Sequence, residues 1–519
     1  MLSYFHRAIA GMVDPRSASN ATRYSLKDAV LGAFASFFMQ NESFLEYQRQ
    51  LNSRCGRDNA QSLFGLVNIP TIEQIKNILD RIAAKPLFSP FKWIYQGLRE
   101  QGYLRLFTAL DGNLLVALDG TQYYDSEKIS CPCCSTRTSK QGKVTYHHQA
   151  ILPVIVSPDQ KSVISLPPEF ITPQDGSEKQ DCEQNAAKRW IASHASWFEG
   201  QPITLLGDDL YSRQPMAEYC LEHHFNFIFV CLPSSHPTLY EWVSFLEANQ
   251  EVKTTQQRRW NGRYFEIWDY RYLNQVPLRE QQPALLVNWC EVTVKRESDG
   301  QLLYRNSWIT NHDLTPQRVI LVCAAGRSRW RTENENHNVL KTRGYHLEHN
   351  FGHGQQHLSS FLLTLNLLAF LFHTVLHLVD ERYQRTRLQR GTRRPDHADD
   401  ADPRAGNGGP HAGHGVLDVS GGVEEAQSCD RHLDGGFHQV ARDLLDVAAD
   451  IADLGELGRL DLQERGLCQL GQAAGDLGLA HAGRADHQDV LGRDLAAQRL
   501  GHLRAAPAVA QRDGDGLLG

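Results

Sequence analysis

The sequence lacks several features that would place it in a common class. Its 11 cysteines are irregularly spaced, and no charged-then-apolar leader opens the chain at Met1-Leu-Ser-Tyr-Phe-His. Secreted disulfide scaffolds show regular cysteine spacing, so we expect a reduced, cytoplasmic protein. The most apolar stretch, residues 361–379, is interrupted by Asn366, His373 and His377. This pattern indicates a buried amphipathic helix rather than a membrane span.

Lysine, methionine, tryptophan and tyrosine are absent from residues 385–519, where Phe437 is the one phenylalanine. This segment holds 22 of the 60 acidic residues but 15 of the 53 basic ones, so it carries the net charge of −7 and leaves residues 1–384 balanced. Few aromatics and many glycines disfavour a packed core. We expect a disordered, low-complexity acidic tail, translated from GC-rich DNA in a non-coding frame after a truncated gene. A regulatory tail is the alternative.

Helical periodicity dominates residues 1–108. Ser25 with Asp28 forms a capping-box pattern ahead of apolar residues at helical spacing, and Thr71 with Gln74 opens a further helix. No basic recognition helix stands out in this helical domain. It is therefore either a module that binds DNA ends or a packing and dimerisation domain.

From residue 109 the apolar period becomes that of strands. Residues 109–233 predict an antiparallel run and then alternating helices and strands, which fits an α/β fold with a mixed sheet. Turns at Asn261-Gly262 and Asp299-Gly300 predict two hairpins, so residues 234–320 form a β-rich insertion. A strand at 319–323 and helices at 327–342 and 355–383 then complete the core over residues 321–384.

Three carboxylates lie where predicted elements begin or end. Asp119 and Asp208 each follow a short apolar run, and Glu333 lies early in the predicted helix 327–342. Although Asp before Gly is also ordinary turn chemistry, three converging acids supply the oxygen ligands that two divalent cations need for phosphoryl transfer. Two carboxylates 4 Å apart repel by about 4 kcal/mol at an effective dielectric of about 20, so such a site needs bound metal or shifted pKa values.

These stretches resemble one family, the DDE transposases of bacterial insertion sequences, and in particular the group with a β-domain between the second Asp and the Glu. The resemblance covers roughly residues 20–383. It is carried by Leu118-Asp-Gly-Thr, by Leu206-Gly-Asp and by Arg329-Trp-Arg-Thr-Glu with Lys341, and it continues through residues 344–354.

The resemblance implies an RNase H-like mixed sheet in which Asp119, Asp208 and Glu333 are catalytic and hold two Mg²⁺ ions, with Mn²⁺ as a substitute. The family signature usually has a tyrosine where Gly326 stands. The step from Glu333 to Lys341 is also one residue longer than usual. Glu335 is therefore an alternative third acid, and Asp209 is an alternative to Asp208.

The implied function is DNA transposition: cleavage at the terminal inverted repeats of an insertion sequence and strand transfer into target DNA, by a homodimer on double-stranded DNA and away from any membrane. A catalytically inactive relic that only binds DNA ends is one alternative, and a different metal-dependent nuclease is another.

Four basic or aromatic residues are candidates for DNA contact. Arg329 and Lys341, on one predicted helix, would contact phosphates, unless they are ordinary solvated charges. Trp260 and Arg263, at the first hairpin turn, would stack a displaced base and hold the backbone, unless Trp260 is an ordinary sheet aromatic.

Cysteines and histidines suggest a second metal site. Cys131 and Cys134 form one C-x-x-C, followed by His147-His148 and later Cys182. A single C-x-x-C is an incomplete zinc site, so zinc at Cys131 and Cys134 competes with reduced buried thiols. His349, His353 and His357 would share one face of a helix, but Gly352 and Gly354 favour a loop, so we expect no metal cluster there.

Overall fold

A computed structural model describes residues 1–17, 23–173 and 181–390. The expectations for the acidic tail beyond residue 390 lie outside this part of the chain. Within it the protein is mixed α/β, as the sequence predicts, with helices packed on a mixed sheet.

Helices fill the described part of residues 1–108. Their bounds are α1 Leu2–Ala10, α2 Leu26–Phe38, α3 Phe44–Asn52, α4 Arg54–Phe64, α5 Ile72–Leu79 and α6 Phe88–Glu100, with 3₁₀ turns at Lys85–Leu87 and Tyr103–Phe107. The capping box at α2 is confirmed, because the Asp28 N–H donates to Ser25 Oγ at 2.9 Å. Thr71 caps α5 in the same way, through the N–H of Gln74.

Fourteen strands are described in the rest of the chain, and they form two sheets. The bounds are β1 Thr108–Ala109, β2 Asn113–Ala117, β3 Gly120–Ser126, β4 Ser135–Thr138, β5 Val144–Ile151, β6 Val154–Ser157, β7 Gln160–Ser165, β8 Glu169–Ile171, β9 Ile203–Gly207, β10 Asn226–Val230, β11 Lys253–Trp260, β12 Phe265–Pro277, β13 Leu286–Arg296 and β14 Leu302–Thr310. Short apolar runs bounded by turn residues account for most of these strands.

The larger sheet has the order β11-β12-β13-β14-β10-β9-β2-β6-β7, with β1 paired to β2. Strands β2, β9 and β10 are parallel, and β6 and β7 add antiparallel on the other side of β2. The smaller sheet joins β3, β5 and β4, and β8 pairs with β5. Every residue of β2 and β9 is buried, because elements cover both faces of the sheet there.

The two predicted hairpins are present and extend the larger sheet, while residues 237–248 of the predicted β-rich insertion form a helix. Strands β11 and β12 turn at residues 261–264, and β13 and β14 turn at 297–301. Strand β14 pairs with the core strand β10, from Ile228 opposite Thr310 to Val230 opposite Trp308. Continuous backbone hydrogen bonds therefore link the insertion to the core.

The remaining helices are α7 Glu183–His194, α8 Gln214–Glu222, α9 Pro237–Ala248, α10 Arg318–Arg327, α11 Asn338–Thr342, α12 Leu358–Val379 and α13 Glu381–Arg390, with a 3₁₀ turn at Ala195–Phe198 and a π-helical turn at Thr332–His337. The predicted strand at 319–323 is wrong, because this stretch lies in α10. Thr315 caps that helix by accepting from the Arg318 N–H, and Val319, Val322 and Cys323 bury one helical face. Tertiary burial outweighs the strand preference of Val and Ile there.

The helix predicted at 355–383 is two helices, α12 and α13, which meet at Asp380. By length and composition α12 could span a membrane, but 83% of its most apolar window is buried inside the protein. Its ring contacts place it against α2, with Phe34 and Phe372 centroids 5.2 Å apart. Two of its polar side chains bond to Tyr345: Asn366 Nδ2 donates to the Tyr345 carbonyl, and His373 Nδ1 pairs with the Tyr345 hydroxyl.

Candidate active site and a Cys/His cluster

Two of the three predicted acids meet at one edge of the larger sheet. Strands β2 and β9 are parallel neighbours, with Ala117 opposite Leu206, and Leu118 N–H donates to the Leu206 carbonyl at 2.9 Å. The carboxyl ends of parallel strands share an edge, so Asp119 and Asp208 follow their strands on the same side. Asp208 lies close enough to contribute to the raised pKa of Asp119.

Glu333 reaches the same place from the C-terminal helices. Arg329 connects the two acids, because its Nη2 lies 2.9 Å from Glu333 Oε1 and its Nη1 lies 3.7 Å from Asp119 Oδ2. Glu333 belongs to the π-helical turn Thr332–His337. Such a turn accommodates one residue more than an α-helical turn, which matches the longer step from Glu333 to Lys341.

Glu183, at the start of α7, is a fourth carboxylate that the sequence did not reveal. The Tyr211 hydroxyl donates to Glu183 Oε1 at 2.7 Å, and the Gly120 N–H also bonds this carboxylate. A Cβ at Gly120 would lie 2.6 Å from Glu183 Oε2, so the close approach requires glycine. We call Asp119, Glu183, Asp208 and Glu333 the acidic cluster.

The acidic cluster is short of positive charge. Burial, followed by repulsion from Glu183, Glu333 and Asp208, raises the pKa of Asp119 to about 7, although Arg329 opposes this shift. Burial also raises the pKa of Glu183, and the charge of Asp208 adds to that effect. Such shifts are typical of sites that hold a cation or exchange protons.

His337 lies beside the acidic cluster, next to Asp119. Its Nδ1 lies 3.7 Å from Asp119 Oδ2, and its side chain is 9% exposed. Burial, with the charges of Lys341 and Arg329, lowers the pKa of His337 to about 4, so the imidazole is neutral at pH 7.

Asp208 and Asp209 have different surroundings. Asp209 Oδ1 accepts from the Leu232 N–H at 2.8 Å and from the Ser235 hydroxyl at 2.5 Å, so Asp209 holds the turn after β10. Asp208 raises the pKa values of Asp119 and Glu183. The geometry therefore places Asp208, rather than its neighbour, in the acidic cluster.

Glu333 and Glu335 also point to different places. Glu335 acts on Arg331 and lines a small cavity together with Lys161, Val339 and His377. Glu333 pairs with Arg329 and acts on Asp119. Glu333 is thus the member of the pair that joins the acidic cluster.

The candidate DNA-contacting residues fall into two groups. Lys341 lies in α11, near enough to lower the pKa of His337, and its Nζ pairs with Glu348 Oε1 at 2.9 Å. Trp260 and Arg263 lie at the tip of the first hairpin, where Trp260 is 57% exposed and its ring is 4.9 Å from that of Phe265. Strand β11 is five positions from β9 in the sheet, roughly 24 Å away at about 4.8 Å per strand. The hairpin tip is therefore not part of the acidic cluster.

A Cys/His cluster that could hold a metal lies beside the smaller sheet. It comprises Cys131, Cys134, His148 and His353, whose ligand atoms all lie within 4.8 Å of one another. The predicted pair Cys131 and Cys134 is thus joined by two histidines. His148 comes from β5, next to the His147 that the sequence also suggested, and Cys182 is exposed outside the cluster.

The loop predicted around His349, His353 and His357 is present, but the sequence did not reveal that His353 belongs to the Cys/His cluster. Residues 350–357 are not helical, so the three histidines do not share a helical face. His353 instead meets partners more than 200 positions earlier in the chain. A contact between such distant residues leaves no local spacing signal.

The two clusters suit different ions. Carboxylate oxygens are the ligands of hard cations such as Mg²⁺ and Mn²⁺, whereas thiols and imidazoles suit softer transition metals.

No protein-family model matches the chain, and a comparison with curated proteins gives no significant match.

Proposed function

We propose that the acidic cluster is the active site of a DDE-type DNA transposase, which cleaves phosphodiester bonds at the ends of its own element and transfers the freed 3′-ends to target DNA. One observation carries the proposal. Carboxylates from three distant segments meet at one sheet edge, together with Arg329, which pairs with Asp119 and Glu333.

The donor set fits divalent metal. All members of the acidic cluster offer oxygen, and their burial and mutual repulsion raise the pKa of Asp119 to about 7. A cation at this position would relieve the repulsion. When bound, a pair of Mg²⁺ ions would activate water or a 3′-hydroxyl and stabilise the leaving oxygen.

The protein residues would hold and orient the reactants. Asp119 and Asp208 follow buried, hydrogen-bonded strands, so their positions are fixed before DNA binds. Glu333 supplies a third ligand from the π-helical turn. Arg329 would transfer its contact from the carboxylates to a phosphate, and Lys341 would meet the backbone further along.

Glu183 would support this site as a fourth carboxylate. The Tyr211 hydroxyl and the Gly120 N–H hold it in one orientation. It is therefore placed to accept a proton from, or to orient, a water molecule at the edge of the cluster.

The sheet supports the same assignment. We propose that β7, β6, β2, β9 and β10 form an RNase H-like core, in which parallel strands carry the acids and an antiparallel pair completes the other side. The burial of α12 fits a protein that acts in the cytoplasm. The proposed partners are double-stranded DNA, at terminal inverted repeats and target, and a second copy of the chain to hold both ends.

The test uses the full chain with DNA fragments that carry the sequences flanking its own gene, in Mg²⁺ or Mn²⁺. We expect cleavage at a fixed position, with a loss of at least about 100-fold in Asp208→Asn and Glu333→Gln, because each removes a ligand charge. Asp209→Asn and Glu335→Gln are matched controls, since neither residue belongs to the acidic cluster, and both should retain cleavage.

Three results would contradict the proposal. Equal cleavage by Glu333→Gln and the parent would remove the acidic cluster from the reaction. Specific binding to the end fragments without cleavage in any metal would instead favour the inactive relic. A DNA affinity that does not fall with added salt would count against DNA as the partner.

A further inference from the structure

We propose that Cys131, Cys134, His148 and His353 bind one structural zinc ion, which fastens the segment between α11 and α12 to the smaller sheet. The four ligands belong to a different cluster from the acids, so zinc binding does not depend on the proposed reaction.

Five of the six distances between the ligand atoms are close to those of a tetrahedron around zinc. With Zn–S near 2.3 Å and Zn–N near 2.05 Å, a regular site has S–S of about 3.8 Å, S–N of about 3.6 Å and N–N of about 3.3 Å. The observed Sγ–Sγ distance is 3.7 Å. The three sulfur–nitrogen distances are 3.5, 3.5 and 3.3 Å, and the two Nε2 atoms are 3.0 Å apart. The sixth pair lies within 4.8 Å.

The same distances argue against a disulfide and against a cluster held by hydrogen bonds alone. A disulfide needs an S–S distance of about 2.05 Å, far shorter than the 3.7 Å between Cys131 and Cys134. The two thiols and the His148 Nε2 offer at most three hydrogens, so hydrogen bonding cannot account for all five short contacts. A shared central ion accounts for them together.

The turn that carries the cysteines has the hydrogen bonds expected around metal-bound sulfur. The Cys134 N–H donates to the Cys131 carbonyl at 3.1 Å, which closes the turn. The Cys131 N–H points at Cys134 Sγ, 3.4 Å away, and so can stabilise a thiolate.

The histidines are held with Nε2 facing the centre. His353 Nδ1 lies 2.8 Å from the Gly354 carbonyl, so Nδ1 carries the hydrogen and Nε2 presents its lone pair. The Tyr124 ring lies 4.3 Å from the His353 ring, and the Tyr123 ring stacks on His148 at 5.7 Å. These contacts fix both imidazoles.

The backbone on either side of His353 adopts conformations that place the His353 side chain in the Cys/His cluster. Gly352 and Gly354 have φ of 155° and 72°, where glycine is favoured. A Cβ at Gly354 would lie 2.6 Å from Leu358 Cβ and would also collide with the Asp80 carboxylate. The glycines thus allow the loop to pass close to α5 and α12 while His353 enters the cluster.

The ligand set identifies zinc and a structural role. Two thiolates and two imidazoles form a closed tetrahedral site, with no position left for water or substrate. Three of the four residues are buried. The ion would join the β3–β4 connection and β5 to the segment that links α11, which carries Lys341, to α12.

The test measures metal content in the full chain, purified without a histidine tag and dialysed against EDTA. We expect one zinc per chain by mass spectrometry. His148→Gln, His353→Gln and Cys134→Ser should each lose that equivalent and melt at lower temperature. His147→Gln and Cys133→Ser change the neighbouring residues and should keep the zinc.

Cobalt substitution gives a second readout. The parent should show the intense visible bands of tetrahedral Co²⁺ and a thiolate-to-cobalt band in the near ultraviolet, and His353→Gln should lose both. A parent without zinc, a parent that holds iron instead, or a His353→Gln protein with unchanged zinc content would overturn the inference. If Cys134→Ser fails to fold, the two histidine variants decide.

Discussion

Replacing Asp119 by Asn should stabilise the magnesium-free protein while abolishing any magnesium-dependent cleavage. In the folded protein burial and neighbouring carboxylates raise the pKa of Asp119 from 3.8 to about 7. At pH 8 the charged carboxylate therefore destabilises the folded protein by about 4 kcal/mol relative to an unperturbed carboxylate, since each of about three pKa units is worth about 1.4 kcal/mol. Asparagine carries no charge and avoids this cost, although it weakens the contact with Arg329.

The difference in proton affinity between the folded and unfolded protein sets the direction of the stability change and the pH range in which it occurs. The folded protein binds this proton more tightly than the unfolded chain, so the stability of the parent falls as pH rises from about 4 to about 7 and then levels off. In EDTA, the melting temperature of Asp119→Asn should exceed that of the parent by a growing margin from pH 5 to pH 7. At about 2–4 °C per kcal/mol, and less for a long chain, the margin reaches several degrees.

Magnesium should reduce the difference without removing it. If Mg²⁺ binds with a dissociation constant near 1 mM, a concentration of 10 mM adds about 1.4 kcal/mol to the parent and little to Asp119→Asn. Asp209→Asn is the control, and it should be less stable than the parent because it loses charge-assisted hydrogen bonds to Leu232 and Ser235. A margin independent of pH, or an Asp119→Asn protein less stable than the parent at pH 8, would refute the reasoning.

Three further predictions concern other residues. Gly120→Ala should reduce cleavage at least tenfold in an end-cleavage assay, because its Cβ would displace the Glu183 carboxylate that lies 2.6 Å away. Asp80→Ala should cost about 1–2 kcal/mol in urea unfolding, since Asp80 accepts four backbone N–H bonds at the start of α12. Arg263→Ala should lower the salt slope of DNA binding by about 1, whereas Trp260→Ala should weaken binding at an unchanged slope.

Each of these three predictions has either a control variant or a result that would contradict it. Gly97→Ala changes a glycine with nothing within 4 Å of its added Cβ and should leave cleavage intact. Burial opposes ionisation of Asp80, but the four N–H bonds lower its pKa. The penalty in Asp80→Ala should therefore fade as the pH falls through that lowered pKa. Identical salt slopes for Arg263→Ala and the parent would remove the hairpin tip from the DNA interface.

The sequence predicted the elements whose signals are local. The capping box at Ser25, the Asn261-Gly262 hairpin and the strands ending before Asp119 and Asp208 depend on neighbouring residues, and the structure has them where expected. The predicted strand at 319–323 failed because its β-branched run is buried as a helical face, which only the packing of α10 decides.

The sequence singled out those site residues that lie next to a recognisable strand or helix pattern, but not those that join a site through tertiary contacts alone. Whether Asp208 or Asp209 faces the cluster depends on hydrogen bonds to the turn after β10, which no sequence spacing encodes. Glu183 and His353 were missed for the same reason. Each meets its partners through tertiary contacts, across 28 positions to Tyr211 in one case and 205 positions to His148 in the other.

The insertion and the core share one hydrogen-bonded sheet from β11 through β14 to β9. A hinged lid would need a flexible joint, and here the joint is the ladder between β14 and β10. The Trp260 hairpin therefore has no hinge of its own, because its strands belong to the same ladder as the strand before Asp208. We expect a ligand bound at the hairpin to meet an extension of the core sheet rather than a lid that closes over the acids.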